Sequence, residues 1–298
     1  METSVVSREE DGVTVELVWR GPAWLGEGPL WHPTEGALYY LDCIRPELHR
    51  LDVETGEHKS WMMPALIGSI APRAKGGLIA ALGKGRAAIT FDDKWEINIA
   101  MEQDILGNID LRLNDGKCDR QGRFWVGTVA ADFDQPDGSL YRLDLDGSVH
   151  EMEQKIKVSN GLAWSLDNKT MYYTDSPNRE IYTYDFDEKT GNISNRKVFA
   201  TIAQDAGVPD GLTIDSEGNI WSAHWDGYRV TKYRPDGSVD RVIKMPAQRP
   251  TSCMFGGKNL DVLYVTSASR DIGETESLKG ELDGALFAKG LPETAFLG

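Results

Sequence analysis

The stretches KVSNGLAWSLDNKTMYYTDS (157–176) and GVPDGLTIDSEGNIWSAHWD (207–226) decide the fold, because they repeat one pattern. Each contains a polar residue followed by Gly-Leu, continues through a turn, and reaches a strand rich in aromatic and β-branched residues. The polar residue is Asn160 in the first stretch and Asp210 in the second. The repetition indicates a structural unit that occurs several times and keeps an oxygen-bearing side chain at its start.

Four further segments follow the same plan and bring the number of units to six; they begin at Gly26, Ser69, Asn114 and Thr251, and the last is completed by GALFAKG from Gly284. Segments such as LYRLD and IYTYD alternate between two faces, which is typical of β-strands. Gly after Asp, Glu, Thr or Lys in the intervening turns favours tight hairpins between antiparallel strands.

Six units of four antiparallel strands, with no helical stretch between them, predict an all-β fold. We expect a six-bladed β-propeller that forms one domain over residues 1–298. The run VTVELVWRG (13–21) precedes the first complete unit, and we expect it to supply the outer strand of the last blade. Such a strand closes the ring and removes the free edges between the first and last units. A β-sandwich with accessory strands is the alternative, although a sandwich does not need equal repeats.

Composition and charge exclude several classes of function. The chain has 298 residues and a net charge of −15, which argues against a nucleic-acid partner because phosphate binding draws on clustered Lys and Arg. No apolar segment reaches the ~20 residues needed to cross a bilayer. The segment METSVVSREEDG (1–12) lacks the basic start and apolar run of a signal peptide. We therefore expect a cytoplasmic protein without a membrane or nucleic-acid partner, as a monomer or small homo-oligomer.

The cysteines are three in number, lie far apart and form no C-x-x-C pair: Cys43, Cys118 and Cys253. We interpret them as reduced thiols, which suits the cytoplasm. One disulfide with one unpaired cysteine is the alternative.

The five histidines show no i,i+4 pairing that would suggest a metal site. One of them, His224 in IWSAHWDG, has two possible roles. It either faces the channel mouth and takes part in function, or it packs beside Trp221 and Trp225.

The innermost strand of each propeller blade lines the central channel, so residues that begin these strands converge near one mouth. The candidates are Glu27, Asn114 or Asp115, Asn160 and Asp210. Carboxylates beside amides, without His or Cys, form an all-oxygen cage that suits hard cations such as Ca²⁺, Mg²⁺ or Mn²⁺. Alternatively, Asn and Asp before Gly simply favour turns. Aligning the units on Gly places Asp115, rather than Asn114, level with Asn160 and Asp210, so the sequence leaves open which of the two faces inward.

At these residues the chain resembles the senescence marker protein-30/gluconolactonase family, which includes the regucalcin-like proteins. The matching motifs occur in the family order over nearly the whole chain: LGEGPLW, RLNDGKCDRQGRFWVGTV, GSLYRLD, SNGLAWSLDNKTMYYTDS, PDGLTIDSEGNIW and YRPDGSV. The resemblance implies a six-bladed propeller with one divalent metal ion in the channel, be it Ca, Zn, Mg or Mn. It also implies hydrolysis of sugar lactones to aldonic acids.

Taken residue by residue, the resemblance implies that Glu27, Asn160 and Asp210 are metal ligands. It implies that Asp210 is also the general acid/base. Arg112 and Asn114 match the positions that contact the substrate. The same Arg112 could instead form a surface or inter-blade ion pair.

One segment departs from the family pattern. The regucalcin branch has a Glu downstream of its GT-x-A motif that contacts the sugar, whereas GTVAADFD (127–134) has Ala131 and Asp132 there. Asp132 is at most a shortened equivalent, which leaves the sugar preference open.

A lactone is an activated ester, so a cation can polarise its carbonyl while a carboxylate moves a proton between water and the ring oxygen.

Two other functions remain open: hydrolysis of another activated ester, such as a phosphotriester, and a non-catalytic calcium-binding propeller. The set of channel residues together with Arg112 favours an enzyme, because a scaffold does not need an acid/base carboxylate in its channel.

Overall fold

Six antiparallel sheets form a ring in the computed structural model, which describes residues 4–8, 14–130, 135–271 and 273–291. Five sheets have four consecutive strands each, and the sixth combines C-terminal with N-terminal strands. The innermost strand of every sheet contacts the innermost strands of the sheets on both sides. The predicted six-bladed β-propeller is therefore confirmed.

The N-terminal strands are followed by three complete blades in chain order. These strands are β1 (Ser4–Arg8), β2 (Thr14–Trp19), β3 (Gly26–His32), β4 (Ala37–Asp42), β5 (Glu47–Asp52), β6 (His58–Met62), β7 (Ile67–Pro72), β8 (Leu78–Leu82), β9 (Gly85–Phe91), β10 (Ile97–Asp104), β11 (Leu111–Cys118), β12 (Phe124–Ala130), β13 (Gly138–Leu143) and β14 (Val149–Ile156).

Two further complete blades and the C-terminal strands complete the ring. Their strands are β15 (Ser159–Trp164), β16 (Thr170–Asp175), β17 (Glu180–Asp187), β18 (Asn192–Thr201), β19 (Val208–Ile214), β20 (Ile220–Trp225), β21 (Arg229–Tyr233), β22 (Val239–Lys244), β23 (Arg249–Gly256), β24 (Val262–Ala268) and β25 (Leu286–Gly290). The innermost strands are β3, β7, β11, β15, β19 and β23.

The N-terminal strand β2 closes the ring, as the sequence predicts. It pairs antiparallel with β25, where Leu17 lies opposite Phe287. On one face Val15 and Leu17 pack in a core cluster with Trp221 of the fifth blade. On the other face Val18 packs in a cluster with side chains of the first blade. One strand from the start of the chain thus joins the cores of three blades.

The sixth sheet departs from the predicted four strands. It contains five, in the order β1-β2-β25-β24-β23. The additional strand β1 pairs with β2 and covers backbone groups that would otherwise form an open sheet edge. Helical structure in the described ranges is limited to short 3₁₀ turns at Ser176–Asn178 and Gln204–Ala206.

A buried aspartate stabilises the turn after the innermost strand in two blades. Asp215 accepts hydrogen bonds from the backbone N–H of Asn219 at 2.8 Å and from Trp221 Nε1 at 3.0 Å. Asp119 accepts the equivalent bond from Trp125 Nε1 at 3.0 Å. The Asp-to-Trp spacing of the repeat is therefore a folding signal, because each Asp ties the turn to an aromatic ring of the next strand.

All three cysteines are free thiols, as the sequence predicts: Cys43, Cys118 and Cys253. Two of them are buried and Cys118 is partly buried. In the described ranges, no helix is long and apolar enough to cross a membrane.

Two neighbouring imidazoles lie where the first blade meets the ring-closing strand. His49 Nδ1 is 3.2 Å from His58 Nε2, and the His58 ring stacks on Trp19 of β2 with a centroid distance of 4.2 Å. Burial lowers the pKa of His58. Burial and the neighbouring His58 lower the pKa of His49 to about 4. Both rings are therefore neutral at pH 7 in the folded protein.

Deleting residues 1–21 should destabilise the whole propeller rather than fray one end, because β2 contributes buried side chains to the cores on both its faces. Each such side chain is worth roughly 1.5–3 kcal/mol, so we expect a melting temperature at least roughly 10 °C lower. Deletion of residues 1–8, which removes β1 and keeps β2, is the control and should have a smaller effect. An unchanged melting temperature after the longer deletion would contradict the role of β2.

Acidification should weaken the fold through His49 and His58. Unfolded histidines take up protons below their ordinary pKa of 6.5, whereas the folded His49 stays neutral down to about 4. The unfolded state therefore binds more protons between those pH values, and the contribution of His49 to the free energy of unfolding falls by up to about 3 kcal/mol. Urea unfolding at pH 7 and pH 5 measures this. The decrease in the free energy of unfolding from pH 7 to pH 5 should be smaller in His49→Gln than in the wild type. In the exposed control His150→Gln it should equal that of the wild type. An equal decrease in all three proteins would refute the role of His49.

Candidate active site

Every innermost strand carries a register shift near the same end. The shifts lie between Glu27 and Leu30, Ile67 and Ser69, Leu113 and Gly116, Asn160 and Leu162, Pro209 and Leu212, and Pro250 and Ser252. A bulge interrupts the alternation of side chains and changes the direction in which the side chain at the bulge points. In four of the six strands the bulge lies at a residue that the sequence analysis selected.

The Gly after Asn160 and the Gly after Asp210 are required by close packing between blades. A Cβ atom at Gly161 would lie 2.7 Å from the backbone oxygen of Asp210, and one at Gly211 would lie 2.1 Å from Ser252 Oγ. Asn160 and Asp210 lie within β15 and β19, so the alternative that they are turn formers is wrong. The Gly lets neighbouring innermost strands approach each other, while the residue before it lines the channel.

The channel mouth contains a cavity of about 270 Å³. It brings together every site residue that the sequence predicts within the described ranges: Glu27, Arg112, Asn114, Asn160 and Asp210. Trp225, Val158 and Pro177 contribute apolar surface to its wall. Asp132 lies outside the described residues, so its role stays a prediction.

Both residues between which the sequence could not choose line this cavity. The bulge between Leu113 and Gly116 breaks the alternation of β11, so the consecutive side chains of Asn114 and Asp115 border the same space. Asp115 also borders a second cavity of about 200 Å³. The carboxylate therefore lies between the outer cavity and a deeper part of the channel.

A chain of hydrogen bonds orients the amides of the site. Arg112 Nη1 donates to Asn114 Oδ1 at 2.7 Å. Asn114 Nδ2 donates to Asn160 Oδ1 at 3.2 Å, and Asn160 Nδ2 donates to Ser176 Oγ at 2.8 Å. The guanidinium can only donate, so its contact determines the orientation of the first amide and, through it, of the second.

Four carboxylates line this cavity, and their charges are poorly balanced: Glu27, Asp115, Asp210 and Asp271. Desolvation, followed by the charge of Asp115, raises the pKa of Glu27 to about 8. Desolvation, followed by the charges of Glu27 and Asp115, raises the pKa of Asp210 well above its usual value. Asp210 is 5% exposed, and its Oδ1 accepts no hydrogen bond from any residue that the structure describes. A bound cation would relieve both the repulsion and the unsatisfied buried oxygen.

The oxygen donors here fit a hard divalent cation. They are the carboxylates of Glu27 and Asp210 and the amide of Asn160. Asn160 Oδ1 accepts one hydrogen bond from Asn114 and retains a second lone pair for a ligand. Within the described part of the chain, no three His, Cys, Asp or Glu side chains gather closely enough to hold a metal ion. A cation at this place would therefore need the amide oxygen as well as the carboxylates.

Sequence reasoning missed three polar side chains of the cavity wall, namely Cys43, Ser176 and Asp271. Each follows the second strand of a blade: β4, β16 or β24. The end of that strand pairs with the start of the innermost strand, as Asp175 pairs with Ser159. Antiparallel pairing thus brings the residues after second strands to the same mouth, and this rule could have identified them.

His224 is not one of the residues that line the cavity. It is 1% exposed, with Nδ1 2.7 Å from the backbone oxygen of Ala206 and Nε2 3.3 Å from the Tyr233 hydroxyl. Burial lowers its pKa to about 4. Its structural role is therefore confirmed, with Tyr233 rather than the two tryptophans as the stacked ring.

Comparisons with known proteins agree over almost the full chain. A family model for the SMP-30/gluconolactonase/LRE-like region matches residues 25–269. Pentonolactonase XacC of Haloferax volcanii is 37% identical over 94% of this chain and 97% of its own. A solved luciferin-regenerating enzyme has a TM-score of 0.90 at 34% identity and covers 96% of this chain and 98% of its own. The calcium-binding protein regucalcin of Agrobacterium tumefaciens strain C58 has a TM-score of 0.85 at 25% identity and covers 92% of both chains.

The family model spans all the innermost strands, and with it the bulges that carry the site residues. The relatives match this chain nearly from end to end rather than through a shared motif. The chain belongs to the SMP-30/gluconolactonase/LRE-like family.

Proposed function

We propose that this protein hydrolyses a sugar lactone of the gluconolactone type to the aldonic acid, with a divalent cation held by Glu27, Asn160 and Asp210. The observation that carries the proposal is the buried carboxylate of Asp210 in the cavity, whose Oδ1 accepts no hydrogen bond from the described residues. The name of the pentonolactonase relative supports the substrate class. The calcium-binding relative supports a cation at such a site.

The size of the cavity suits a small substrate. Its volume of about 270 Å³ lies just below the roughly 300–1,000 Å³ that is typical of pockets for drug-sized ligands. A space of this size suits a single sugar ring. The apolar surface of Trp225 and Val158 can contact the C–H face of the ring, and the polar side chains can bind its oxygens.

Asp210 is the proposed general acid/base. When bound, the cation would supply Lewis-acid polarisation of the lactone carbonyl. As the water oxygen bonds to the carbonyl carbon, the Asp210 carboxylate takes its proton, and it returns the proton to the ring oxygen as the C–O bond of the lactone breaks. Without a cation, desolvation and then the charges of Glu27 and Asp115 raise the pKa of Asp210, and a bound cation would lower it again and so favour the ionised form that a base requires.

Arg112 and Asn114 are the proposed substrate contacts. Arg112 is oriented by the bond from its Nη1 to Asn114 Oδ1. A guanidinium has further N–H donors, which can bind a sugar oxygen or the negative charge that develops on the carbonyl oxygen. The hydrogen bond between the two residues keeps both side chains in place before the substrate arrives.

Removal of the cation should abolish lactonase activity, and a divalent cation should restore it. The four carboxylates that line the desolvated cavity outnumber the one guanidinium among its lining residues, so a cation is needed to offset their repulsion. The measurement is turnover of a panel of aldonolactones by chelator-treated protein, shown by elemental analysis to be metal-free, before and after reloading with Ca²⁺, Mg²⁺, Mn²⁺ or Zn²⁺. Full activity of the metal-free protein would contradict the metal-dependent mechanism. Tight cation binding without turnover of any lactone would favour a non-catalytic calcium-binding propeller.

Exchanging the amide and carboxylate ligands should separate metal binding from proton transfer. Asp210→Asn keeps an oxygen ligand but removes the base, so kcat should fall by at least ~10²-fold at saturating metal, and the metal affinity should weaken. Asn160→Asp keeps an oxygen and adds a charge, so it should bind metal at least as tightly and lose less activity. Calorimetry of metal binding and kcat for both variants measure this, with the exposed Asp236→Asn as the matched control.

Near-normal kcat of Asp210→Asn at saturating metal would show that Asp210 is a ligand only. The base would then lie elsewhere, and Asp115 and Glu27 would be the next residues to replace. Full activity of Asp236→Asn is required for either conclusion, because it excludes a general effect of replacing a carboxylate by an amide.

A further inference from the structure

Asp271 places a fourth carboxylate in the wall of the outer cavity. It lies in the loop after β24, just beyond residue 269, where the match to the family model ends. Desolvation lowers the pKa of Arg112 and raises that of Asp210, and the negative charge of Asp271 adds a smaller upward contribution to the pKa of each. Asp271 therefore shares the space in which the proposed substrate contacts and the proposed base lie.

The backbone before Asp271 is bound to the start of the first blade. The N–H of Arg270 donates to the backbone oxygen of Trp24 at 2.8 Å. The Arg270 guanidinium lies over the Trp24 ring, 4.1 Å from its centroid. Ser269 Oγ donates to the backbone oxygen of Ala23 at 2.8 Å. These contacts hold the chain against the segment that leads into β3, only a few residues before Glu27.

A second set of contacts holds Asp271 from the other side. Arg249, at the start of β23, is buried and donates two hydrogen bonds to the Glu274 carboxylate, at 2.8 and 3.0 Å. Glu274 Oε2 also accepts the backbone N–H of Asp271 at 2.8 Å. The same Arg249 guanidinium lies 4.6 Å from the centroid of the Trp225 ring, which lines the cavity. One arginine thus supports two walls of the cavity.

The carboxylate of a residue whose backbone is held in this way is suited to recognising hydroxyl groups. An ionised carboxylate can only accept hydrogen bonds, and a sugar hydroxyl can donate to it while accepting from a guanidinium. Asp271 and Arg112 provide this pair of complementary groups in one cavity. Support on both sides keeps the backbone of Asp271 in position, which restricts where its carboxylate can lie, as selectivity for one hydroxyl requires.

We propose that Asp271 is a specificity-determining residue, whose carboxylate accepts a hydrogen bond from one hydroxyl of a polyhydroxylated lactone, and that the Arg249–Glu274 ion pair positions it. The proposal rests on the lactonase function proposed above. It adds a recognition group from the last blade to the contacts of Arg112 and Asn114.

The test compares an aldonolactone with its monodeoxy analogues, using the cation-loaded full-length protein. Asp271→Ala should lower kcat/KM for the fully hydroxylated lactone by roughly 10- to 100-fold, the range for a lost hydrogen bond to a charged group. For the one analogue that lacks the recognised hydroxyl, wild type and variant should be equal. A loss of the same size on every analogue would overturn the proposal, because it would make Asp271 only a countercharge for Arg112.

Two further variants test the positioning role and provide the control. Glu274→Gln should reduce the ratio of kcat/KM between the fully hydroxylated lactone and the deoxy analogue. The value of kcat/KM for the deoxy analogue itself should stay at that of the wild type. Glu276→Gln, an exposed change in the same loop, should leave both unchanged. If Glu274→Gln keeps the full discrimination of the wild type, the positioning role of the ion pair is refuted.

Calorimetric binding of the matching lactam, which carries the same hydroxyls but is not an ester, separates this proposal from the lactonase function. Hydroxyl-dependent binding that Asp271→Ala abolishes, without lactone turnover by the wild type, would support the recognition role and refute the activity. Turnover without any effect of Asp271 on discrimination would refute only the recognition role. Absence of both lactam binding and lactone turnover in the wild type would overturn both.

Discussion

The close approach of the innermost strands around one channel is the constraint on which the rest of this structure depends. The strands meet so tightly that no Cβ fits at Gly161 or Gly211 without moving a neighbouring strand. Each strand carries a bulge at this level. The residue before the glycine therefore lines the channel, since the side towards the next blade is already filled. Site residues built in this way lie on strands that the whole ring supports, which favours a preorganised cavity.

Two aspartates five positions apart show how the same side chain serves the fold or the site. Asp215 is buried, and its oxygens accept bonds from backbone N–H groups and from Trp221 Nε1. Asp210 is also buried, but it faces other carboxylates and has an oxygen without a partner among the described residues. The first arrangement stabilises a turn. The second arrangement is unfavourable for folding, because buried carboxylates repel one another. A bound cation would offset this repulsion, so such a carboxylate is useful at a cation site.

The architecture was predictable because the same pattern of strands and turns recurs along the chain. Six units with the same order of strands and turns indicate blades, and the missing outer strand of the last unit indicates closure by the run at 13–21. The same repetition identified Glu27, Asn114 or Asp115, Asn160 and Asp210 as candidates, since each begins the innermost strand of a unit. Strand β1 was not predicted, because it lies outside the repeat and forms only the outer edge of its sheet. Alternation was a weaker guide in β4 and β15, because both strands are buried along their whole length.

The sequence by itself thus determined the number of blades, the closing strand and the recurring oxygen donors, because local patterns and their spacing encode these features. Tertiary structure alone decided the remaining wall of the site. Both Asn114 and Asp115 line the cavity, because packing between blades imposes a bulge that breaks the alternation on which a sequence argument relies. Asp271 reaches the cavity through the pairing of β24 with β23 and through the Arg249–Glu274 ion pair. These contacts join residues from different parts of the chain, and the repeats in the sequence do not predict them.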